Sequence, residues 1–311
     1  MSGTGGYLVG VDVGGTTIKT ALLAPTMAVL DERRVATPRE RGSQAVVDAV
    51  VAATADVLAR GRRRYGCEPD AVGVGCLGVV DEVRGVAVES AAVGWSDVPV
   101  TDLLSRLTSA PVALGHDVRA GALAEAQLGA GRGVEDFVFV TLGTGVGGAV
   151  VLDGRPRVGR GRVGELGHVV VDQDGAPCGC GGRGCLETIA SGPAISRRYL
   201  ELTGRALSVP QLLAEARGGD AAAGAVWQQA VQALATVLAA TTMLLDPQAV
   251  VVGGGVALAG DALLDSLRRE LHGRVRLGPA PVVRLAALGD RAGIIGAALM
   301  AAQRQGAQVP A

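Results

Sequence analysis

One pattern occurs in both halves of the chain, and it limits the possible folds most: an apolar run, a glycine-rich turn and a returning apolar run. The first copy is Tyr7–Val13, closed by Asp12 and Gly14–Gly15, with Ile18–Leu23 as the return. The second is Phe137–Leu142, a turn over Gly143–Gly148, and Ala149–Leu152. β-Branched and aromatic runs around glycine turns read as strand, turn, strand, and two copies point to a duplicated architecture. Helical periodicity runs over Ser43–Arg63, Asp117–Gly129, Ala221–Leu245, Gly260–His272 and Arg291–Arg304. Buried strands are expected at Ala71–Cys76, Pro111–Leu114, Ala249–Val252 and Val282–Leu285. Strands alternating with helices predict an α/β fold. A chain of 311 residues suits two lobes. No Pro- or Ser-rich linker parts them, so the lobes are expected to share a cleft.

Composition removes several classes. Glycine supplies 48 residues without a triplet period, and 49% of the chain is hydrophobic, which excludes collagen and disorder. The net charge of −1 argues against a nucleic-acid partner. No run of 18 uninterrupted apolar residues occurs, so no membrane partner is expected. Met1–Gly6 leads into the first strand without a signal pattern, and a cytoplasmic protein is expected. Lys19 is the only lysine among 29 basic residues.

The glycine turns suit phosphate. In Asp12-Val-Gly-Gly-Thr-Thr-Ile-Lys19, Gly14 and Gly15 free backbone N–H groups for phosphate oxygens. Thr16 and Thr17 add hydroxyls, Lys19 a compact charge, and Asp12 a carboxylate that can hold Mg²⁺ through water. Thr141-Leu-Gly-Thr-Gly-Val-Gly-Gly148 packs more glycine than a hairpin turn needs, so Thr141, Gly143, Thr144 and Gly145 are candidates for the same ligand. Gly254 and Gly255, after the Ala249–Val252 strand, would leave room for a base or ribose.

Asp117 follows a strand and opens a helix. An acid there is usually a helix cap, but beside a phosphate site it can orient and deprotonate an acceptor hydroxyl. His168, Cys178, Cys180 and Cys185 form a Cys₃His set, enough for a closed tetrahedral Zn²⁺ shell of structural type. Glu165 and Glu187 flank it, either as solvated acids or as acceptors for sugar hydroxyls. Cys67 and Cys76 are expected as small core residues.

Together, Asp12-Val-Gly-Gly-Thr16, the Leu142–Gly148 loop, Gly164-Glu-Leu-Gly-His168 and Cys178-Gly-Cys-Gly-Gly-Arg-Gly-Cys-Leu-Glu187 resemble the ROK family of sugar kinases and repressors, from about Tyr7 to about Ala302. The resemblance implies a two-lobed actin-like ATPase (ribonuclease H-like) fold with a nucleotide and sugar cleft between lobes. The expected lobes are residues 1–116 with 291–311, and 117–290. It further implies a structural Zn²⁺, Mg²⁺ with ATP, and transfer of the γ-phosphate to the primary hydroxyl of a hexose, glucose or a glucose-like sugar. Asp117 would be the general base and, with Gly78, His116, Glu165, His168 and Glu187, would hold the sugar, His168 using its second ring nitrogen. A homodimer or homotetramer is the family habit. Family repressors carry an N-terminal helix-turn-helix, for which the six residues before the first strand leave no room, so any regulator reading reduces to a non-catalytic sugar sensor.

The departures bear on the acceptor. Where the family commonly has Asn-Asp-Ala-Asn, this chain reads His116-Asp117-Val118-Arg119; Ala92 replaces a second common Asn, and Leu77 replaces the proline of Gly-x-Pro-Gly78. Losing a buried amide partner costs about 1–3 kcal/mol if a hydroxyl is left unpaired. An amino-sugar (N-acetylmannosamine, N-acetylglucosamine, kanosamine), a deoxygenated sugar or a cyclitol is the alternative acceptor.

Overall fold

The computed structural model describes residues 6–306. The chain runs β1 (Leu8–Val13), β2 (Thr17–Leu23), β3 (Val29–Ala36), α1 (Ser43–Tyr65), β4 (Ala71–Cys76), β5 (Val79–Asp81), β6 (Val86–Ser90), β7 (Trp95–Val98), α2 (Val100–Ser105), β8 (Val112–His116) and α3 (Asp117–Leu128). It continues with β9 (Phe137–Leu142), β10 (Val146–Leu152), β11 (Arg155–Pro156), α4 (Glu187–Ala190), α5 (Gly192–Thr203), α6 (Val209–Arg217), α7 (Ala221–Leu245), β12 (Ala249–Gly253), α8 (Asp261–Arg274), β13 (Val282–Leu285) and α9 (Ala292–Arg304). Two compact units result, residues 1–129, 158–163 and 290–311 in the first, and 130–157 with 164–289 in the second.

Each unit is built on a five-stranded sheet, ordered β3-β2-β1-β4-β8 in the first and β11-β10-β9-β12-β13 in the second. In both, a glycine-turn hairpin pairs antiparallel, and its first strand pairs parallel with the next strand outward. The duplicated architecture is thus present strand for strand. A separate three-stranded meander, β5-β6-β7, belongs to the first unit.

The alternation of β1 explains where its acid goes. Val9, Val11 and Val13 point into a core with Val46, Val50, Val57 and Leu58 of α1, each burial contributing about 1.5–3 kcal/mol. Gly10 and Asp12, on the opposite face by the two-residue period, meet α9, with Gly10 against Ile294 and Asp12 against Gly293. In the second unit Val138, Val140 and Leu142 share a core with Leu234 and Leu238 of α7. Among the described residues α7 alone is long and apolar enough to cross a membrane, yet half of its apolar window is buried inside the protein, as suits a core helix.

Two expectations need correction. Helix α3, assigned to the lobe 117–290, belongs to the first unit. The reason is packing: Gly296 of α9 has no side chain, and its Cα rests on the Ala120 backbone, where any Cβ would collide. Cys76 is buried as expected, but Cys67 is exposed, because it follows Gly66, the left-handed C-cap that ends α1.

Candidate active site

In the first unit the sheet register sets Asp12 opposite Lys19. The Lys19 ammonium lies 3.4 Å from Asp12 Oδ2 and donates to the Asp290 carbonyl at 2.7 Å. The sole lysine therefore spans from the glycine hairpin to the approach of α9. The turn itself is closed by a Gly14 N–H to Thr17 carbonyl bond of 3.0 Å. Thr37 braces it from outside, donating its hydroxyl to the Gly14 carbonyl at 2.7 Å and its N–H to the Thr16 carbonyl at 2.9 Å. No motif marks Thr37; only the pairing of β2 with β3, which sets Thr17 beside Ala36, brings it there.

Asp117 is the first residue of α3 but does not cap it. His116 is the cap: its Nδ1 accepts from the Arg119 N–H at 3.4 Å, and the ring is buried. The Asp117 Oδ1 accepts from the Val118 N–H at 2.7 Å and lies 3.4 Å from His116 Nδ1. With the capping role filled by its neighbour, the carboxylate keeps a partly open face, 21% exposed. Burial pushes the Asp117 carboxyl up to about 6, against the pull of the Val118 N–H and the Arg119 charge. Burial likewise raises Asp12 to about 6; Lys19 opposes the rise and the charge of Asp117 adds to it. Such upward shifts, caused chiefly by desolvation, suit a carboxylate that must accept a proton near neutral pH.

Gly78 stands where the chain turns from β4 to β5 with φ of +89°, and any Cβ there would strike the Glu89 carbonyl. The two departures at Leu77 and Ala92 meet at one spot. A Cβ on Gly15 would lie 3.7 Å from Leu77 Cδ1 and 3.8 Å from Ala92 Cβ, so the phosphate-type turn is bordered by two apolar groups.

In the second unit Thr141 at the end of β9 pairs in register with Gly253 at the end of β12, which brings two of the predicted loops together. Gly143 bonds within its own turn to the Gly145 carbonyl at 2.9 Å and receives the Gly192 N–H on its own carbonyl at 2.9 Å. Gly254 has φ of +86° and lies on the Leu142 backbone, while Gly255 faces open space. A Gly254→Ala variant combines a glycine-only backbone with a clash against Leu142. We expect a loss of about 3 kcal/mol or more, read as a lowered urea midpoint.

His168, Cys178, Cys180 and Cys185 converge, with one ligand atom from each lying within 4.8 Å of all the others. His168 Nδ1 is 3.6 Å from Cys178 Sγ, and the Sγ atoms of Cys180 and Cys185 are 3.7 Å apart. Zinc with bonds of about 2.3 Å to sulfur requires tetrahedral edges of about 3.8 Å, so the donor set and its spacing fit Zn²⁺. The other ring nitrogen of His168, Nε2, faces Glu165 Oε2 at 4.0 Å. Glu187, at the start of α4, accepts from the Val146 N–H at 2.8 Å and so ties the cysteine segment to the glycine turn.

Sequence reasoning missed three partners. Glu82 accepts from both Arg119 and Arg304, and Asp290 supplies the carbonyl for Lys19. Each lies outside any motif and is brought in by tertiary packing.

A model of the ROK family matches residues 8–304. The glucokinase of Thermotoga maritima is 36% identical over 319 residues, covering 96% of this chain and 98% of that one. The kanosamine kinase of Amycolatopsis mediterranei is 35% identical over 307 residues, covering 98% and 99%. The crystal structure of a ROK family glucokinase from Streptomyces griseus, in complex with glucose and AMPPNP, superposes with a TM-score of 0.84 at 33% identity, covering 96% of this chain and all of that one. The fold is therefore the α/β actin-like ATPase fold of ROK kinases, its two sheets repeating one strand order. Glycine hairpins in both units, a Cys₃His cluster and a match from end to end of the described fold agree, and the chain belongs to the ROK family.

Proposed function

We propose that this protein is an ATP-dependent hexose kinase, transferring the γ-phosphoryl group to a primary sugar hydroxyl, with glucose as the first candidate acceptor. The observation that carries the reading is Asp117. It is released from helix capping by His116, oriented by one backbone N–H, and held by burial at a pKa of about 6. Asp117 takes the proton of the sugar hydroxyl as its oxygen attacks the γ-phosphorus and the bond to the β-phosphate oxygen breaks, giving a sugar phosphate and ADP. The Gly14–Thr17 turn and Lys19, with Thr141, Gly143–Gly145, Gly254 and Gly255, are assigned to the nucleotide, where fixed N–H dipoles stabilise phosphoryl charge without reorganising. Asp12 is assigned to Mg²⁺, which when bound neutralises phosphate charge.

Gly78, His116, Glu165, His168 and Glu187 are assigned to the sugar. Zn²⁺ on His168, Cys178, Cys180 and Cys185 is assigned a structural role, and the 3.6 Å approach of His168 Nδ1 to Cys178 supports leaving Nε2 for a hydroxyl. A second reading of the acceptor, an amino-sugar, rests on Ala92, which stands where the family commonly has Asn and offers no hydrogen bond to a sugar hydroxyl. The kanosamine kinase relative, at 35% identity, supports the same alternative. We read the protein as cytoplasmic, and as a homodimer or homotetramer on the family's habit, which sedimentation velocity tests.

The test is ADP formation with Mg²⁺-ATP against glucose, mannose, N-acetylglucosamine, N-acetylmannosamine, kanosamine and a cyclitol. Turnover with one or more hexoses is expected. Sugar binding without turnover on any of them would replace the kinase with a sensor.

A further inference from the structure

Arg119 stands where the family commonly carries Asn, and it is one of the most buried charges in the first unit, 4% exposed. Its Nε and Nη2 both donate to Glu82 Oε1, at 3.2 and 3.1 Å. Its remaining arm, Nη1, donates to the Gly161 carbonyl at 3.1 Å. Glu82 Oε2 in turn receives Arg304 Nη2 at 3.3 Å. Arg304 also donates to the Glu82 and Leu114 carbonyls, at 3.3 and 3.2 Å.

One carboxylate is thus shared by two guanidinium groups. The pair grips three backbone points: the meander after β5 at Glu82, the middle of β8 at Leu114, and the loop at Gly161. Leu114 is three residues before Asp117, and Arg119 is two after it. The junction that carries the carboxylate is therefore held on both sides. The third point is unusual in the chain. Residues 158–163 belong to the first unit although the chain before and after them belongs to the second. Gly159 and Gly161 have φ of +56° and +90°, so this stretch has little secondary structure to hold it. Its arginines, Arg160 and Arg162, are exposed. An Asn side chain, two bonds long beyond Cβ, could not bridge Glu82 and Gly161 together.

We propose that Arg119 is a positioning residue: through Glu82 and Arg304 it fixes the β8–α3 junction carrying Asp117 and tethers segment 158–163, from which the chain passes directly to Glu165. The inference rests on the kinase reading for its catalytic consequence but not for the tether. Removing one member of a buried charge pair damages folding outright, whereas replacing both by apolar residues of similar size is tolerated. The informative variant is therefore Glu82→Met with Arg119→Met, which keeps the packing and deletes the bond to Gly161.

With its melting temperature near wild type, this double variant is expected to show hydrogen exchange at residues 158–163 accelerated about tenfold or more. Its kcat should fall about 10²-fold, the usual effect of misplacing a reacting group by about 1 Å, while KM for ATP stays within twofold. Arg119→Lys, which keeps the charge but loses the fork, provides a second variant. It should show the same exchange increase with a smaller fall in kcat. A folded double variant with wild-type kcat, or with unchanged exchange at 158–163, would overturn the proposal. A wild-type chain that turns over no sugar, yet shows the exchange difference, would sink the kinase reading and keep the tether.

Discussion

Asp117→Asn is expected to lower kcat for sugar phosphorylation by about 10³-fold, within the range for loss of a positioned general base, while leaving the sugar Kd within threefold. Asn preserves the shape and can still accept from the Val118 N–H, so the acceptor is still bound but its proton has no destination. The same substitution should stabilise the fold at neutral pH. Asp117 ionises at about 6 in the folded protein against an ordinary value of 3.8. Between those values the folded state holds the extra proton, so stability falls as pH rises through that window and stays low above it. Removing the charge recovers about 1–3 kcal/mol at pH 7 to 8. An activity loss coupled to a higher melting temperature at pH 7.5, with no gain at pH 3.5, is the signature. Wild-type kcat/KM should fall below pH 6. Because Asp12 is raised to the same region and feels the Asp117 charge, the profile reports the pair rather than either acid alone.

Removal of the zinc proposed for the Cys₃His set is expected to have the largest structural effect. Structural Zn²⁺ contributes about 10–16 kcal/mol in small zinc-binding peptides, comparable to the whole stability of a domain, about 5–15 kcal/mol. Cys185 is buried, and Glu187 two residues on bonds to Val146 at the glycine turn. Loosening the cysteine segment therefore frees the turn as well. Cys185→Ala should drop bound zinc from one per chain toward none by atomic emission and lower the melting temperature by about 10 °C or more. Sugar binding should vanish with it. A zinc-free variant of unchanged stability would remove the metal from the account.

Much of this was legible because glycine, cysteine and the apolar period act locally. The two hairpins, the five helices named from periodicity and the Cys₃His set all follow from neighbouring residues. β3 was not legible: its Asp31-Glu32-Arg33-Arg34 run has no apolar alternation, yet it pairs along β2 as an exposed edge strand. The short strands β5, β6 and β7 were missed for a similar reason, being three to five residues each with no sustained alternation. The candidate site divides in the same way. Asp12 and Asp117 stood out by their place at strand ends, and Lys19 as the sole lysine. Thr37, Glu82 and Arg304 did not, since what brings them to the site is the sheet register and the packing of α9, neither of which leaves a mark in the local sequence.

The central claim, that the chain transfers phosphate to a primary sugar hydroxyl, is tested most directly by the proton-coupled ³¹P spectrum of the product formed from ATP and the best acceptor. A phosphomonoester signal split into a triplet by the two protons of one CH₂ group, absent with Asp117→Asn, is the predicted result. A doublet from a secondary position, or inorganic phosphate alone, would contradict it.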